Sequence, residues 1–179
     1  LACRELGEGK IPQSKNKRGV VVRKPPVVVA TVVGFLLIGA AAAVEGAVVS
    51  VFGHGGPEAG IVLSIWAVGS IIGGLALGGL AIGPWALAAR MLVVFIGIAL
   101  AGAILDFWWI AFALLIAGAG IAPALAVMFA IVSSSVKFSD TAEAYGWMGS
   151  GQLIGAALGS AVAGFAIDGF GSIGGFVAA

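Results

Sequence analysis

The sequence has 179 residues, of which 61% are hydrophobic and 9% are charged, with a formal net charge of +1. Soluble globular domains carry about 25% charged residues, so this composition excludes an ordinary soluble fold and makes the lipid bilayer the solvent. The near-neutral charge gives no indication of nucleic-acid binding. A single cysteine and a single histidine exclude a disulfide framework and a Cys/His metal cluster, and we expect no cofactor.

The first 26 residues form a polar, basic segment that ends at Pro25-Pro26. This segment carries seven of the nine Lys and Arg residues, and it lacks the apolar stretch of a signal peptide. We expect residues 1–26 to be a disordered cytoplasmic linker. Because the chain starts at Leu1 and stops at Ala179 within an apolar run, we also expect it to be a segment of a longer protein.

Residues 27–179 consist of apolar runs separated by short polar breaks. A helix needs about 20 residues to cross the bilayer core, whereas strands are about 3–10 residues long, so the runs predict helices. The expected fold class is all-α: a polytopic membrane helix bundle with five full spans and the start of a sixth. The predicted spans are about 27–53, 57–82, 86–105, 107–132, 142–167 and, incomplete, 173–179.

Acidic residues stand at the predicted starts of the fourth and fifth spans. Asp106 immediately precedes the fourth span and is expected to cap its first backbone N–H groups. Asp140 and Glu143 have the spacing of a capping box at the start of the fifth.

The distribution of positive charge predicts the orientation of the spans. If the linker is cytoplasmic, alternation of the spans places Arg90 and Lys137, and thus all Lys and Arg residues, on the cytoplasmic side. This agrees with the positive-inside rule. We therefore expect a multi-pass protein of a bacterial inner membrane, with lipid as its first partner.

Two spans contain small residues spaced four apart, which allow close approach of another helix. One interpretation is ordinary helix packing, and the other is a groove along a substrate path; both stay open. The glycines concerned are Gly69, Gly73, Gly74 and Gly78 in the second span, and Gly151, Gly155 and Gly159 in the fifth.

Glu45 is the only acidic residue deep within a predicted span. Intramembrane carboxylates are rare and usually functional, so Glu45 is a candidate for contact with a proton, a cation or a polar substrate. The alternative is a protonated acid that bridges two helices.

Pro123 lies in the middle of the fourth span. It removes the hydrogen bond to the Ala119 carbonyl and is expected to kink the helix, with Gly118 and Gly120 adding flexibility. A static bend and a hinge that moves a gate are both compatible with this pattern.

Three further polar or aromatic side chains within spans are candidates for a translocation path, with simple packing as the alternative: Trp66, Trp147 and Gln152. Ser64 and Ser70 are expected to bond back to their own helix. The sequence contains no Ser/His/Asp set, no paired carboxylates at one depth and no phosphate-binding loop. We therefore expect a protein that is not an enzyme, with no catalytic and no metal-binding residues.

An ordered set of motifs resembles a known family. The motifs are Gly39–Glu45, Leu63–Gly74, Ala117–Ala126, Thr141–Trp147 and Gly155–Gly159. Together they resemble the C-terminal half of a major facilitator superfamily transporter of the kind common in actinobacteria, over about residues 15–179. The resemblance implies that the five spans correspond to helices seven to eleven, that the last run begins helix twelve, and that residues 1–26 end the central loop.

The resemblance also implies a function, namely secondary active transport of a small molecule by alternating access. Proton-coupled efflux is the commonest activity of such relatives, and the partner would be a six-helix N-terminal half. Glu45, Trp66, Pro123, Trp147 and Gln152 would lie on helices that border the central cavity. The sequence departs from the family between the second and third spans, where the usual basic motif is reduced to glycines and Arg90. The alternative is an accessory or degenerate membrane protein without transport activity; a channel has less support.

Overall fold

The computed structural model describes residues 21–53, 56–79, 83 and 85–179. All regular structure in these residues is helical and none of it is strand, which confirms the all-α fold class. Short 3-10 turns precede the first and fifth α-helices. The α-helices are α1 (Pro25–Phe52), α2 (Glu58–Leu77), α3 (Ala86–Ala103), α4 (Phe107–Ser135), α5 (Thr141–Phe170) and α6 (Ser172–Ala178).

Five of these helices, α1 to α5, are long and apolar enough to cross a membrane. The shortest of them, α3, has 18 residues, and at 1.5 Å per residue it is roughly 27 Å long. That length is close to the thickness of a bilayer's hydrocarbon core. The described part of the chain therefore has the character of a multi-pass helical membrane protein, whereas α6, with seven residues, is too short to cross.

Some helix ends differ from the predicted ones, because proline and glycine residues determine where those helices begin and end. Pro25 and Pro26 open α1 instead of closing the linker, because proline needs no hydrogen-bond partner in the first turn of a helix. The disorder expected for the linker falls largely on residues 1–20, which lie outside the described residues. Helix α5 extends beyond its predicted end at 167 to Phe170, and the chain reverses at Gly171, within the break predicted between the fifth and sixth apolar runs.

Gly171 makes this sharp reversal possible. Its backbone has φ 68° and ψ −167°, a conformation open to glycine but not to residues with a Cβ. The next helix, α6, then folds back so closely that a Cβ on Gly174 would overlap the carbonyl oxygen of Ala166. The hairpin of α5 and α6 thus depends on glycine both at its turn and at its contact.

The bundle is built from two close helix pairs, α1 with α5 and α2 with α4. Both pairs are parallel, because residue numbers increase together along each contact: Thr31 faces Gly151, and Gly39 faces Gly159. Helix α3 packs antiparallel against α4, since Gly97 meets Ala117 whereas Val94 meets Gly120, and α6 packs against α1 and α5. The contact of α1 with α2 is sparse by comparison, so the two pairs leave space between them.

Contacts at the helix ends show that α1 and α4 run in opposite directions. Lys24 Nζ donates to the carbonyl oxygen of Ser135 at 3.5 Å, which places the start of α1 beside the end of α4. At the opposite end, the rings of Phe52 and Phe107 meet edge to face with centroids 5.8 Å apart. The described basic residues lie toward the first of these ends: Arg23, Lys24, Arg90 and Lys137.

The two predicted N-caps behave differently. Asp106 is confirmed as the cap of α4, since its Oδ1 accepts hydrogen bonds from the backbone N–H groups of Trp108 at 3.0 Å and Trp109 at 3.2 Å. The cap predicted for Asp140 is wrong, because its side chain makes no capping bond to α5. Asp140 has helical φ and ψ, whereas a capping residue is normally extended, and its Oδ1 instead accepts from Ser139 Oγ.

We expect Asp106→Ala to weaken the first turn of α4 by about 1 kcal/mol. The measurement is hydrogen exchange at the amides of Trp108 and Trp109, which should speed up severalfold in the variant. Asp106→Asn serves as the control, because asparagine caps equally well and should preserve the protection. Equal exchange in Asp106→Ala and the wild type would show that the cap contributes nothing.

Candidate functional site

A groove lies between α1, α2 and α4, in the space that the two helix pairs leave open. Its volume is about 260 Å³. We call it the Glu45 groove, and its lining residues are Ala41, Glu45, Leu63, Trp66, Ala67, Ser70 and Ile121. All but three of these side chains are purely aliphatic, so the groove is an apolar surface with a few polar groups.

The position of the groove follows from how α1 and α2 use their glycines. Each helix turns a small-residue face to its own partner, α5 or α4, so the sides that face each other are less tightly packed. Glu45 stands seven residues before the end of α1 at Phe52, and Trp66 stands eight residues after the start of α2 at Glu58. Both therefore lie at a similar depth, roughly 10–12 Å from the same end of the bundle.

Glu45 is exposed to the groove. Among the described residues, no hydrogen-bond donor and no cation contacts its carboxyl group. A helix-bridging role for a protonated acid requires such a partner, and the described helices provide none. The carboxyl group is thus available to whatever enters the groove.

Trp66 forms the aromatic wall of the groove and is only 7% exposed. One edge of the indole packs on α4, where a Cβ on Gly118 would come within 2.8 Å of Trp66 Cδ1. The indole Nε1 is buried and has no hydrogen-bond partner. The ring is therefore held in place by packing against the α4 glycine and not by a hydrogen bond.

The two serines of α2 differ in a way that the sequence did not predict. Ser64 Oγ donates to the Gly60 carbonyl oxygen at 2.7 Å, which confirms the expected bond to its own helix. The same expectation is wrong for Ser70, whose hydroxyl has no hydrogen bond among the described residues. Ser70 lines the Glu45 groove, so its hydroxyl adds a second free polar group there.

The other two predicted path residues lie elsewhere. Gln152 projects into the interface of α1 and α5, where a Cβ on Gly34 would meet its Nε2 at 3.2 Å, and this Nε2 is buried without a partner. Trp147 on α5 is 45% exposed and lines neither the Glu45 groove nor the other cavity. Of the four candidates, the structure brings only Glu45 and Trp66 together in one groove.

The segment around Pro123 is buried and is continuous with the rest of α4. Pro123 leaves the Ala119 carbonyl without its usual helical donor, and this oxygen lies against Gly73 of α2, where a Cβ would overlap it. Gly118 and Gly120 are both in close helix contacts, with α2 and α3 respectively. These contacts give the glycines a packing role, while a gating motion of Pro123 stays a prediction.

Most of the predicted packing glycines face another helix backbone. Gly69 and Gly73 lie against the carbonyls of Leu115 and Ala119, and Gly74 lies near the Ala122 Cβ. Gly78 differs, because it is exposed just after α2 and has only its own helix within 4 Å. In the fifth helix, three glycines pack on the backbone or side chains of α1: Gly151, Gly155 and Gly159.

Arg90 is a functional candidate that the sequence reasoning passed over. The side chain is 8% exposed and belongs to α3. Its Nη2 donates to the carbonyl oxygen of Leu77 at 3.2 Å, and its Nη1 donates to the carbonyl oxygen of Pro123 at 3.3 Å. Arg90 therefore connects the last turn of α2, the start of α3 and the proline segment of α4.

A second, larger cavity of about 430 Å³ lies between α1, α3 and α6. Its wall is formed by aliphatic, aromatic and glycine residues, such as Leu37, Phe95 and Phe176. It offers no polar or charged side chain that would orient a ligand. In the described residues, no group of three or more His, Cys, Asp or Glu side chains is arranged to hold a metal ion.

Compared with known proteins, the chain matches no protein-family model, no curated sequence and no solved structure. The described helices define the class as an all-α protein with five helices that could cross a membrane. Within these helices, the Glu45 groove brings a charged side chain and an aromatic side chain together at a depth inside the apolar spans.

Proposed function

We propose that this chain forms one half of a secondary active transporter, of the major facilitator type that its ordered motifs resemble. The other half would be a six-helix N-terminal bundle, and the two would move a small molecule across the membrane by alternating access. The observation that carries the proposal is the unpaired carboxyl group of Glu45 in a groove at membrane depth.

A carboxyl group within a membrane helix costs free energy. On insertion scales a charged residue costs about 2.5–3.5 kcal/mol at the helix centre, and Glu45, seven residues from the end of α1, incurs part of this cost. Nothing in the described part of the chain offsets this cost for Glu45 through an ion pair or a hydrogen bond. A residue that destabilises the protein without a structural partner is best explained by function.

The mechanism follows from the way the helices are held. Transporters of this kind bind substrate near the bilayer midplane between two halves that rock about the site. The glycine contacts of α1 with α5 and of α2 with α4 make rigid walls, and the Glu45 groove opens between them. The N-terminal half would close the open side, and Glu45 would contact either the substrate or the coupling proton.

The distribution of charge supports a cytoplasmic location for the start of α1. The described basic residues Arg23, Lys24, Arg90 and Lys137 lie toward that end of the bundle. The acidic residues Glu58, Asp106 and Asp168 lie at or near helix termini of the opposite end. By the positive-inside rule, the basic end faces the cytoplasm of a bacterial inner membrane.

Cysteine labelling tests the proposal without knowledge of the substrate. In a Cys3→Ser background, Ala67→Cys places a thiol in the groove, and Val68→Cys places one on the adjacent outward face of the same helix. Alternating access exposes the groove to each aqueous side in turn. We therefore expect a membrane-impermeant maleimide to label Ala67→Cys from either side of the membrane, and Val68→Cys from neither.

The opposite pattern would favour a different class of protein. If Ala67→Cys and Val68→Cys are equally unreactive in the natural-length protein, the groove is filled by lipid or by another helix. The chain would then be an accessory membrane protein without transport activity.

A further inference from the structure

We propose that the Glu45 groove binds a small organic ammonium ion with an apolar or aromatic body. This inference rests on the proposed function in that it names the substrate class of the same groove. It is carried by three neighbouring features: the free carboxyl group of Glu45, the free hydroxyl of Ser70 and the indole wall of Trp66.

The charge of the groove selects the charge of the ligand. Among the described residues that line the groove, Glu45 is the only charged one. The nearest buried cation of the described chain, Arg90, is already committed to the carbonyl oxygens of Leu77 and Pro123. An anion would be repelled by the Glu45 carboxylate, and a neutral solute would leave it without a partner. A cationic ligand pairs with it directly.

The second polar group favours an ammonium over a bare ion. An ammonium group has several N–H donors, and the groove offers two kinds of acceptor, the Glu45 carboxylate and the Ser70 hydroxyl. A metal ion would need further oxygen or nitrogen ligands, whereas the remaining lining residues are aliphatic apart from Trp66. The chemistry of the groove thus fits an amine better than an inorganic cation.

The walls select the body of the ligand. Trp66 is fixed by its packing on Gly118, so it presents a rigid aromatic surface that attracts both apolar groups and cations. Leu63 and Ile121 complete an apolar lining. The groove has a volume of about 260 Å³ and is open on one side, so a compact amine with a single ring can lie in it.

Equilibrium binding of radiolabelled 2-phenylethylammonium to the purified, natural-length protein tests this inference. The neutral control ligand is 2-phenylethanol, which has nearly the same size and the same ring. We expect Glu45→Gln to weaken binding of the ammonium about tenfold or more, because a charge-assisted hydrogen bond is lost. Glu58→Gln removes the same charge outside the groove and should leave binding unchanged.

Two serine variants give an independent readout. Ser70→Ala removes the free hydroxyl of the groove and should weaken ammonium binding about threefold. Ser64→Ala removes a hydroxyl that is already bonded to its own helix and should have no effect. Equal binding of 2-phenylethanol and the ammonium, or equal affinities of Glu45→Gln and Glu58→Gln, would overturn the inference.

The outcomes separate this inference from the proposed function. If Ala67→Cys is labelled from both sides but 2-phenylethylammonium does not bind, the groove is a path for another class of solute and the ligand assignment is wrong. If the ammonium binds through Glu45 but labelling occurs from one side only, the groove is a binding site and transport is wrong.

Discussion

Gly159→Ala is expected to lower the free energy of unfolding by about 2–3 kcal/mol, within the range for overpacked interfaces. A Cβ at this position would overlap the carbonyl oxygen of Gly39 and come within 2.7 Å of its Cα. Because the obstructing atoms belong to the backbone, α1 and α5 must separate to make room. The loss would be visible as easier unfolding in mixed detergent micelles.

The matched control on the same helix is Gly164→Ala. No atom of another element lies within 4 Å of where that Cβ would be, so the change should be neutral or slightly stabilising through the helix propensity of alanine. The same contrast applies to the second pair: Gly73→Ala meets the Ala119 carbonyl on α4, whereas Gly60→Ala on α2 meets nothing. Equal stabilities of Gly159→Ala and Gly164→Ala would show that α1 and α5 do not approach through these glycines.

Arg90→Met is expected to cost about 2 kcal/mol of stability. The variant removes two hydrogen bonds from a charged donor, each worth about 1.5–3 kcal/mol in favourable cases, while methionine preserves much of the packing volume. The Leu77 carbonyl at the end of α2 would lose a partner, as would the Pro123 carbonyl of α4. Thermal unfolding of the purified protein measures the effect.

Lys137→Met removes the same charge from an exposed position between α4 and α5 and should change stability little. Arg90→Lys tests the geometry, because lysine keeps the charge but not the planar fork that reaches two carbonyls at once; its stability should fall between the wild type and Arg90→Met. If Arg90→Met is as stable as Lys137→Met, then Arg90 does not connect the three helices.

The fold class could be predicted from the sequence because it depends mainly on the length and hydrophobicity of the apolar runs. In lipid, every backbone polar group must be paired within the protein, apolar runs of about 20 residues fit spanning helices, and α1 to α5 follow these runs closely. Helix ends were less predictable, because local hydrogen bonds of polar side chains can extend a helix beyond its apolar run. The extension of α4 to Ser135, for example, accompanies a bond from Ser135 Oγ to the Ile131 carbonyl oxygen at 2.6 Å.

The candidate site was only partly predictable. Glu45 and Trp66 could be singled out because a charge and an indole are unusual within a span, but their proximity depends on which faces α1 and α2 turn to each other. Gln152 looked equally suitable, yet it faces Gly34 in the interface of α1 and α5. The free hydroxyl of Ser70 had no sequence signal, since serine in a membrane helix usually bonds to its own backbone.

The packing glycines, too, could be predicted only in part from the sequence. The four-residue glycine spacing identified Gly155 and Gly159, whereas their counterpart Gly39 on α1 has no glycine four residues before or after it. Close contacts also occur at Gly97, where a Cβ would come within 2.6 Å of the Ala117 Cα. A contact between two helices needs a small residue on only one side, so a motif in one sequence segment cannot identify its partner.

We propose that the Glu45 groove alternates between the two aqueous phases, and the rates of thiol alkylation test this proposal most directly. The second-order rate constants of Ala67→Cys and Val68→Cys would be compared in right-side-out and inside-out vesicles with an impermeant maleimide. We expect Ala67→Cys to react at least about tenfold faster than Val68→Cys in both vesicle types, because water reaches only the groove-facing side of α2. Similar rates for the two thiols, or fast reaction of Ala67→Cys in one vesicle type alone, would contradict the claim.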